Sequence, residues 1–368
     1  MTIFQGKVGL VQRVLPSYRA PFFNALGIAC EGGLGVFAGR PRPEEMIKTV
    51  SRLDHADLTQ GKNLHIFNNG LYLCFQYGLI DWLTSWNPDV LIIEANPRYV
   101  HSQAAIRWMH KKDRPVIAWG LGAPPLSGIS SDIRVRRRRQ FIHQFDALIT
   151  YSQSGASEYT QLGFPQENIF TAINAVTPSP TLPMPDRSTG STDKKVRVLF
   201  VGRLQERKKL ENLILACSQL EPSLQPELII VGDGPARLNL EALSAKIYPS
   251  TRFTGALYDE DLAAQFRKAA LFVLPGTGGL AIQQAMSFGL PIIAAEADGT
   301  QNDLVRPQNG WQIPPDDIHA LTGTIREALS NVERLCRMGK ESYRIVSEEV
   351  NLEKMVTVFI EAISRSTS

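Results

Sequence analysis

The sequence predicts an α/β protein made of two doubly wound parallel-sheet halves, and three observations lead there. Short unbroken runs of Val, Ile and Leu, the pattern of strands buried on both faces, alternate with longer stretches of helical periodicity. That rhythm stops at a proline- and serine-rich passage and then restarts. A chain of 368 residues also exceeds what one hydrophobic core organises, so two domains are expected.

In the first half, residues 7–12 (Lys-Val-Gly-Leu-Val-Gln) read as the opening strand, followed by 89–94 (Asp-Val-Leu-Ile-Ile-Glu) and 115–119 (Pro-Val-Ile-Ala-Trp) with a helix over 102–112 between them. Residues 146–151 (Asp-Ala-Leu-Ile-Thr-Tyr) form a further strand. Residues 176–194 carry four prolines and much Ser and Thr, which excludes a central strand or a long helix and suits a linker. The second half restarts at 196–201 and continues with a helix over 210–220, a strand at 227–231 and a helix over 236–246. A short strand at 252–254, a helix over 260–269 and a strand at 271–274 come next, then a helix over 280–288 and a strand at 291–294. The expected division is 1–175, a linker at 176–194, 195–345, and a C-terminal helix over 346–368 that crosses back to the first domain.

Composition narrows the class. Apolar content of 43% with 20% charged residues belongs to a folded globular chain, and a net charge of +3 is too small at this length to single out a partner. Cys30, Cys74, Cys217 and Cys336 are far apart and form no CxxC pair, so neither a zinc site nor a disulfide framework is expected. The six histidines show no metal spacing, and no metal or other cofactor is expected. No secretory leader or run of about 18 apolar residues is visible. The expectation is a cytoplasmic protein, free or peripheral on the inner face of the plasma membrane.

Ligands of doubly wound sheets bind beyond the carboxyl ends of the strands. With two such sheets, a cleft between them is the natural place for a two-substrate reaction. At the end of the 196–201 strand stands Gly202, which permits close backbone approach, and then the cations Arg203, Arg207, Lys208 and Lys209. Such a run is often only a solvated loop; its place at the ligand edge tips it toward diphosphate binding. Beyond the 271–274 strand come Gly276, Thr277, Gly278 and Gly279, leading into a helix near Leu280. Glycines there leave backbone N–H groups open, and a helix N-terminus attracts phosphate without any charged side chain. A tight turn would need fewer glycines, so phosphate is favoured. Gly232, in Val-Gly-Asp-Gly-Pro at 231–235, reads as a turn and helix start with a secondary nucleotide-facing role.

In the first half Asn96 and Arg98 close one strand, and Arg19 follows the opening one. These arginines can meet an anionic acceptor or serve structure. His101 is the one histidine considered for acid–base work. The stretch 132–145 carries Arg134, Arg136, Arg137, Arg138 and Arg139 among apolar residues. It reads either as a membrane-surface element on anionic lipid or as an ordinary helix with its arginines in water. No recognised nucleic-acid motif supports that third partner.

Taken together, these motifs resemble the retaining GT-B glycosyltransferases of glycosyltransferase family 4. The likeness rests on Phe-Val-Gly-Arg-Leu at 200–204, Lys208, Ile-Val-Gly-Asp-Gly-Pro at 230–235, Phe-Thr-Gly-Ala at 253–256, the glycine loop, 284–293 and 298–305. In the first half it rests more loosely on 16–23, 96–98 and Tyr-Ser-x-x-Gly at 151–155. The resemblance implies a GT-B fold of two Rossmann-like domains facing across a cleft, a nucleotide-diphosphate sugar donor, and a saccharide acceptor. It implies that Arg203 and Lys208 hold the donor diphosphate and that Gly278 to Leu280 contact phosphate and sugar. The sugar would move with retention, without metal or enzyme nucleophile, in bacterial exopolysaccharide or lipopolysaccharide assembly on a lipid-linked acceptor. One departure stands out. The family often carries a Glu-x7-Glu pair where this chain has Gly276 and Gln284. Gln284 can still bond a ribose hydroxyl, and Asp303 is the candidate to stand in for the missing acid. The rivals are a catalytically inactive GT-B scaffold or partner subunit and an epimerase acting on the nucleotide sugar. The epimerase would want carboxylates and a His that the loop lacks.

Overall fold

The computed structural model describes residues 3–45, 47–67, 72–124, 131–185 and 196–367. The chain divides into two compact units, Met1–Val176 with Leu352–Ser368, and Thr177–Asn351.

Unit 1 opens with β1 (Val8–Val14), α1 (Ala20–Ile28), β2 (Leu34–Gly39) and β3 (Asp57–Gln60). The strands β4 (Lys62–Ile66) and β5 (Leu73–Tyr77) pair antiparallel as a separate ribbon. Then follow α2 (Leu79–Trp86), β6 (Val90–Glu94), α3 (Ser102–His110) and β7 (Val116–Gly120). The unit continues with α4 (Ser131–Ile142), β8 (Ala147–Thr150), α5 (Gln153–Gln161) and β9 (Ile169–Thr171). The seven-stranded sheet runs β3-β2-β1-β6-β7-β8-β9, with every pair parallel. The side chains of Val90 to Ile92 and Val116 to Ala118 are wholly buried, as strands covered on both faces require.

Unit 2 runs β10 (Arg197–Val201), α6 (Leu210–Ser218), β11 (Glu227–Val231), α7 (Arg237–Ile247) and β12 (Thr251–Gly255). It goes on through α8 (Asp259–Lys268), β13 (Leu271–Leu274), α9 (Leu280–Ser287), β14 (Ile292–Ala295), α10 (Thr300–Leu304) and β15 (Gly310–Ile313). Two long helices, α11 (Ile318–Leu329) and α12 (Val332–Glu348), finish it. The six-stranded sheet is β12-β11-β10-β13-β14-β15, all parallel. Read in sequence order this is the 3-2-1-4-5-6 arrangement, whose order reverses between β10 and β13.

The chain then returns to unit 1 as α13 (Leu352–Thr367), where Phe359 meets the rings of Phe22 at 4.8 Å and Trp119 at 4.9 Å. The returning segment starts at Leu352, later than the boundary of 346 read from the sequence, because α12 runs on to Glu348. The proline-rich passage also differs from a free linker. Its described part, 177–185, is bound by side chains within unit 2: Thr177 to Gln283 (2.7 Å), Ser179 to the Ser347 carbonyl (3.1 Å) and the Leu182 carbonyl to the Tyr343 hydroxyl. Prolines have no N–H to give, so side chains supply the bonds. Residues 186–194 of that passage lie outside the described residues. Cys30, Cys74 and Cys217 are buried free thiols and Cys336 is half-buried. Among the described residues no helix is long and apolar enough to cross a membrane.

Candidate functional site

The order reversal between β10 and β13 leaves a crevice at their carboxyl ends. Gly202 ends one wall and the loop 275–279 ends the other. Gly202 and Gly232 lie back to back: a Cβ on Gly232, whose φ is +142°, would stand 1.9 Å from the Gly202 carbonyl oxygen. Gly232 is therefore required for the close approach of two strand ends. Asp233 caps its own turn, accepting from the Gly234 N–H at 2.7 Å and pairing with Arg237 at 2.9 Å. Pro235 falls ahead of α7 instead of inside its first turn, because the helix begins only at Arg237.

Lys208 sits at the centre. Its ammonium donates to the Thr277 carbonyl and lies so close to Gly278 that a Cβ there would be 2.4 Å from Nζ. Arg207 donates to the Thr277 hydroxyl at 2.8 Å, and the Thr277 N–H bonds the Arg207 carbonyl at 3.1 Å. Two strand ends are thus joined through one cation pair. Burial pushes the Lys208 ammonium down from the usual 10.5 to about 8; Arg207 adds to the fall and Asp298 opposes it. A half-buried amine held below its ordinary value gains from an arriving anion. Arg203 is half-buried directly after Gly202. Lys209 leaves the cluster: its left-handed backbone (φ +54°) turns it to Asp316 at 2.9 Å.

Helix α9 opens at the same place. Its N-cap is Gly279, with no side chain capping it, so the first N–H groups around Leu280 have no intrahelical acceptor. Together the loop and the two cations bring positive charge and open backbone N–H groups to one place, the combination that neutralises phosphate.

Position 276, where the family resemblance implies the first Glu, has a specific geometry here. A Cβ on Gly276 would stand 2.3 Å from the Arg207 carbonyl oxygen and 2.7 Å from the carbonyl carbon of Lys208. The backbone of residues 207–208 occupies that volume, so a side chain at 276 requires the chain to move. Gln284 is half-buried on α9. Its neighbour Gln283 faces inward, wholly buried, and bonds Thr177 and the Val350 carbonyl (3.1 Å). Asp303 is half-buried on α10, and its carbonyl receives Arg306 at 3.4 Å. The carboxylate that acts on Lys208 is Asp298, which also accepts from the Thr300 hydroxyl at 2.6 Å. Gln301 supports the loop by donating to the Gly278 carbonyl at 2.6 Å. Asp298 and Gln301 both lie in the 298–305 motif of the sequence, which by itself assigns a role to neither.

In unit 1 the ends of β6 and β7 and the start of α5 pack closely on one another. A Cβ on Gly155 would stand 2.3 Å from the Leu121 carbonyl, and one on Gly120 would stand 2.7 Å from Ala95 Cβ. Ser152 caps α5 by accepting the Gly155 N–H at 3.0 Å, so Tyr-Ser-x-x-Gly is a helix start. Arg19 is 8% exposed, stacked on Tyr151 (5.3 Å) and Trp119 (5.5 Å). His101 packs edge-on against Phe75 and Tyr77 of the ribbon, with Nδ1 buried. That placement makes it a packing residue rather than an acid or base. Asn96, Arg98 and Arg138 instead line a cavity of about 210 Å³, which neither Arg19 nor His101 reaches. Arg134, Arg136, Arg137 and Arg139 are exposed, whereas Arg138 turns inward and donates to the Pro124 carbonyl at 2.6 Å. The expectation of five outward arginines is corrected to four, because Arg138 shares a helix face with Phe141 and Ile142. Among the described residues no group of three His, Cys, Asp or Glu side chains is placed to hold a metal ion.

Comparison with known proteins agrees with the motifs. Residues 186–345 match the family model described as Glycosyl transferases group 1. Over 124 residues, 33% of this chain, the sequence is 40% identical to the GDP-mannose-dependent alpha-mannosyltransferase of Mycolicibacterium smegmatis, covering 31% of that protein. The chain spans about a third of the length of the curated relatives it matches first. Among solved structures, Anabaena HepE in complex with UDP superposes with a TM-score of 0.72 at 17% identity, covering 99% of this chain and 100% of that one. The lipopolysaccharide outer core galactosyltransferase WaaB superposes at 0.68 and 16% identity, covering 96% and 99%. The fold is thus GT-B, and the chain resembles the family 4 glycosyltransferases, most strongly in unit 2.

Proposed function

We propose that this chain is a retaining glycosyltransferase. It takes a nucleotide-diphosphate sugar in unit 2 and passes the sugar to a saccharide acceptor, lipid-linked, in the assembly of a bacterial exopolysaccharide or lipopolysaccharide. The observation that carries the reading is the convergence of Lys208, Arg207 and the open start of α9 on one crevice between β10 and β13.

In the reaction the acceptor hydroxyl oxygen bonds to the sugar's anomeric carbon as the bond from that carbon to the diphosphate breaks. The hydroxyl proton goes to an oxygen of the departing diphosphate, and the charge left on that group is what the protein must stabilise. Lys208, Arg203 and the N–H groups at Gly279 and Leu280 do so, and donors fixed before the reaction need no reorganisation during it. With cations in this role the transfer is read as independent of metal. Gln284 serves a ribose hydroxyl. UDP in the HepE crystal and the GDP-mannose named for the mycobacterial relative support a nucleotide donor, without choosing the base. The exposed Arg134, Arg136, Arg137 and Arg139 suit contact with an anionic membrane face.

Donor hydrolysis in water, read as free nucleotide, tests this directly. Arg203→Ala and Lys208→Ala should each lower turnover roughly 10²–10³-fold, and a chelator should leave it unchanged. Unchanged turnover in both variants sinks the phosphate assignment. The filled volume beside Gly276 favours one alternative, an inactive scaffold. Calorimetry with UDP, GDP and other nucleotides separates the two, since a scaffold with a lost site binds none.

A further inference from the structure

The cavity in unit 1 lies beyond the carboxyl ends of β6 and β7, where open α/β sheets take their ligands. Asn96 and Arg98 line it together with Arg138 and Phe141 of α4, Gly122 and Tyr159. We propose that this cavity receives a phosphate-ester group of the acceptor, clasped between the guanidinium groups of Arg98 and Arg138. The assignment rests on the glycosyltransferase reading, within which it names the chemical class of the acceptor and the residues that read it.

Size is the first argument. Pockets for whole small molecules run to about 300–1,000 Å³, so 210 Å³ suits one compact group better than an entire sugar chain. Charge is the second. Arg138 is half-buried while its four arginine neighbours on α4 stay in water. Burial holds its guanidinium below the usual arginine range, and Arg134 presses the same way. The carboxylate that acts on Arg138, Glu158, accepts the Ala123 N–H at 2.7 Å and is itself pushed toward neutrality by burial. Positive charge is thus left under-compensated beside an open volume. Form is the third. Arg98 and Arg138, 40 positions apart in the chain, line the same cavity, and a guanidinium fork matches phosphate oxygens in pairs. The floor is fixed by close packing: a Cβ on Gly122, whose φ is +134°, would stand 2.3 Å from the Glu158 carboxylate.

Hydrogen exchange of the whole protein with added glycerol 3-phosphate, against chloride at equal ionic strength, locates the binding. Protection is expected at 96–98, 122–123 and along α4. Arg98→Gln and Arg138→Gln should each weaken the phosphate ester about tenfold, the loss of one charge-assisted hydrogen bond. Arg107→Gln, the same charge change on the exposed side of α3, should leave its affinity unchanged. A second arm uses phosphatidylcholine vesicles with and without phosphatidic acid. Protection of the cavity by the phosphatidic acid vesicles identifies a lipid headgroup as the source, and protection by glycerol 3-phosphate alone identifies a soluble ester. Equal weakening by Arg107→Gln, or full affinity in both cavity variants, overturns the site. Donor hydrolysis by the unaltered protein is measured alongside. A cavity that is protected in a protein that hydrolyses no donor supports the anion site and overturns the glycosyltransferase reading instead.

Discussion

The two sheets share a strand order and differ in what stands at its reversal. In unit 1, between β1 and β6, the strand ends are filled by large side chains. Glu94 accepts the Arg13 N–H at 2.8 Å, Arg19 stacks on Tyr151, and Trp119 is 2% exposed among Phe22, Tyr151 and Phe359. In unit 2, between β10 and β13, the same place is lined by Gly202, Gly276, Gly278 and Gly279, with Lys208 reaching in. One reversal is filled by side chains and the other is lined by glycines. Side-chain volume decides which, since backbone N–H groups meet a ligand only where no Cβ stands in front of them.

The comparison makes opposite demands on mutation: unit 1 should suffer from truncation and unit 2 from enlargement or loss of charge. The largest effect is expected for Trp119→Ala, which should destabilise by about 3–5 kcal/mol in denaturant unfolding. A small loss there would mean that the aromatic cluster is not a core. Lys208→Met comes next: donor turnover should fall roughly 10²–10³-fold, while thermal stability holds or rises because a half-buried charge is gone. Gly276→Glu, which introduces the carboxylate that the family resemblance implies at this position, should lower stability by about 1–3 kcal/mol through the clash with residues 207–208. Turnover should fall roughly hundredfold as Lys208 is displaced. A more active, equally stable Gly276→Glu protein would erase the contrast drawn here.

A pH titration sharpens it further. Lys208 holds its proton less tightly in the folded state, near 8 against 10.5. Between those values the unfolded chain keeps a proton that the folded chain has released, so this residue's contribution to stability rises with pH across the window. Donor affinity should move the other way, falling as pH passes 8. Paired unfolding and nucleotide titrations on the unaltered protein and Lys208→Met should show both trends in the first and neither in the second. Smallest is Gln284→Ala, whose lost ribose bond should raise the donor KM about fivefold with little change in kcat.

Unit 2 was legible almost element by element, because its apolar runs are continuous and those of β10 and β11 are closed directly by glycine. Between residues 24 and 88 the reading found nothing, although β2 to β5 and α2 lie there. The reason is physical. β2, Leu-Gly-Val-Phe-Ala-Gly, is interrupted by Gly35, whose Cβ would stand 2.5 Å from the Trp86 ring, and β3 is a largely exposed edge strand. In the candidate site the glycines and Lys208 were visible as residue types in a suggestive order. Their reasons were not. Gly232 answers to Gly202, and Gly276 to the backbone of residues 207–208. Lys209, equal to Lys208 on paper, is carried away by a left-handed turn. Arg138 and its neighbours are one string of identical letters, and only the helix phase separates the inward one.

The return of α13 has a further consequence. Phe359 completes the aromatic cluster begun by Phe22 and Trp119, so unit 1 is assembled from two distant stretches of chain while unit 2 is continuous. During synthesis unit 2 has all its residues once Asn351 has emerged, whereas unit 1 must wait with an apolar groove open to water until α13 is made. The domain translated first is therefore the one finished last, since its N-terminal stretch completes its core only with residues made after all of unit 2.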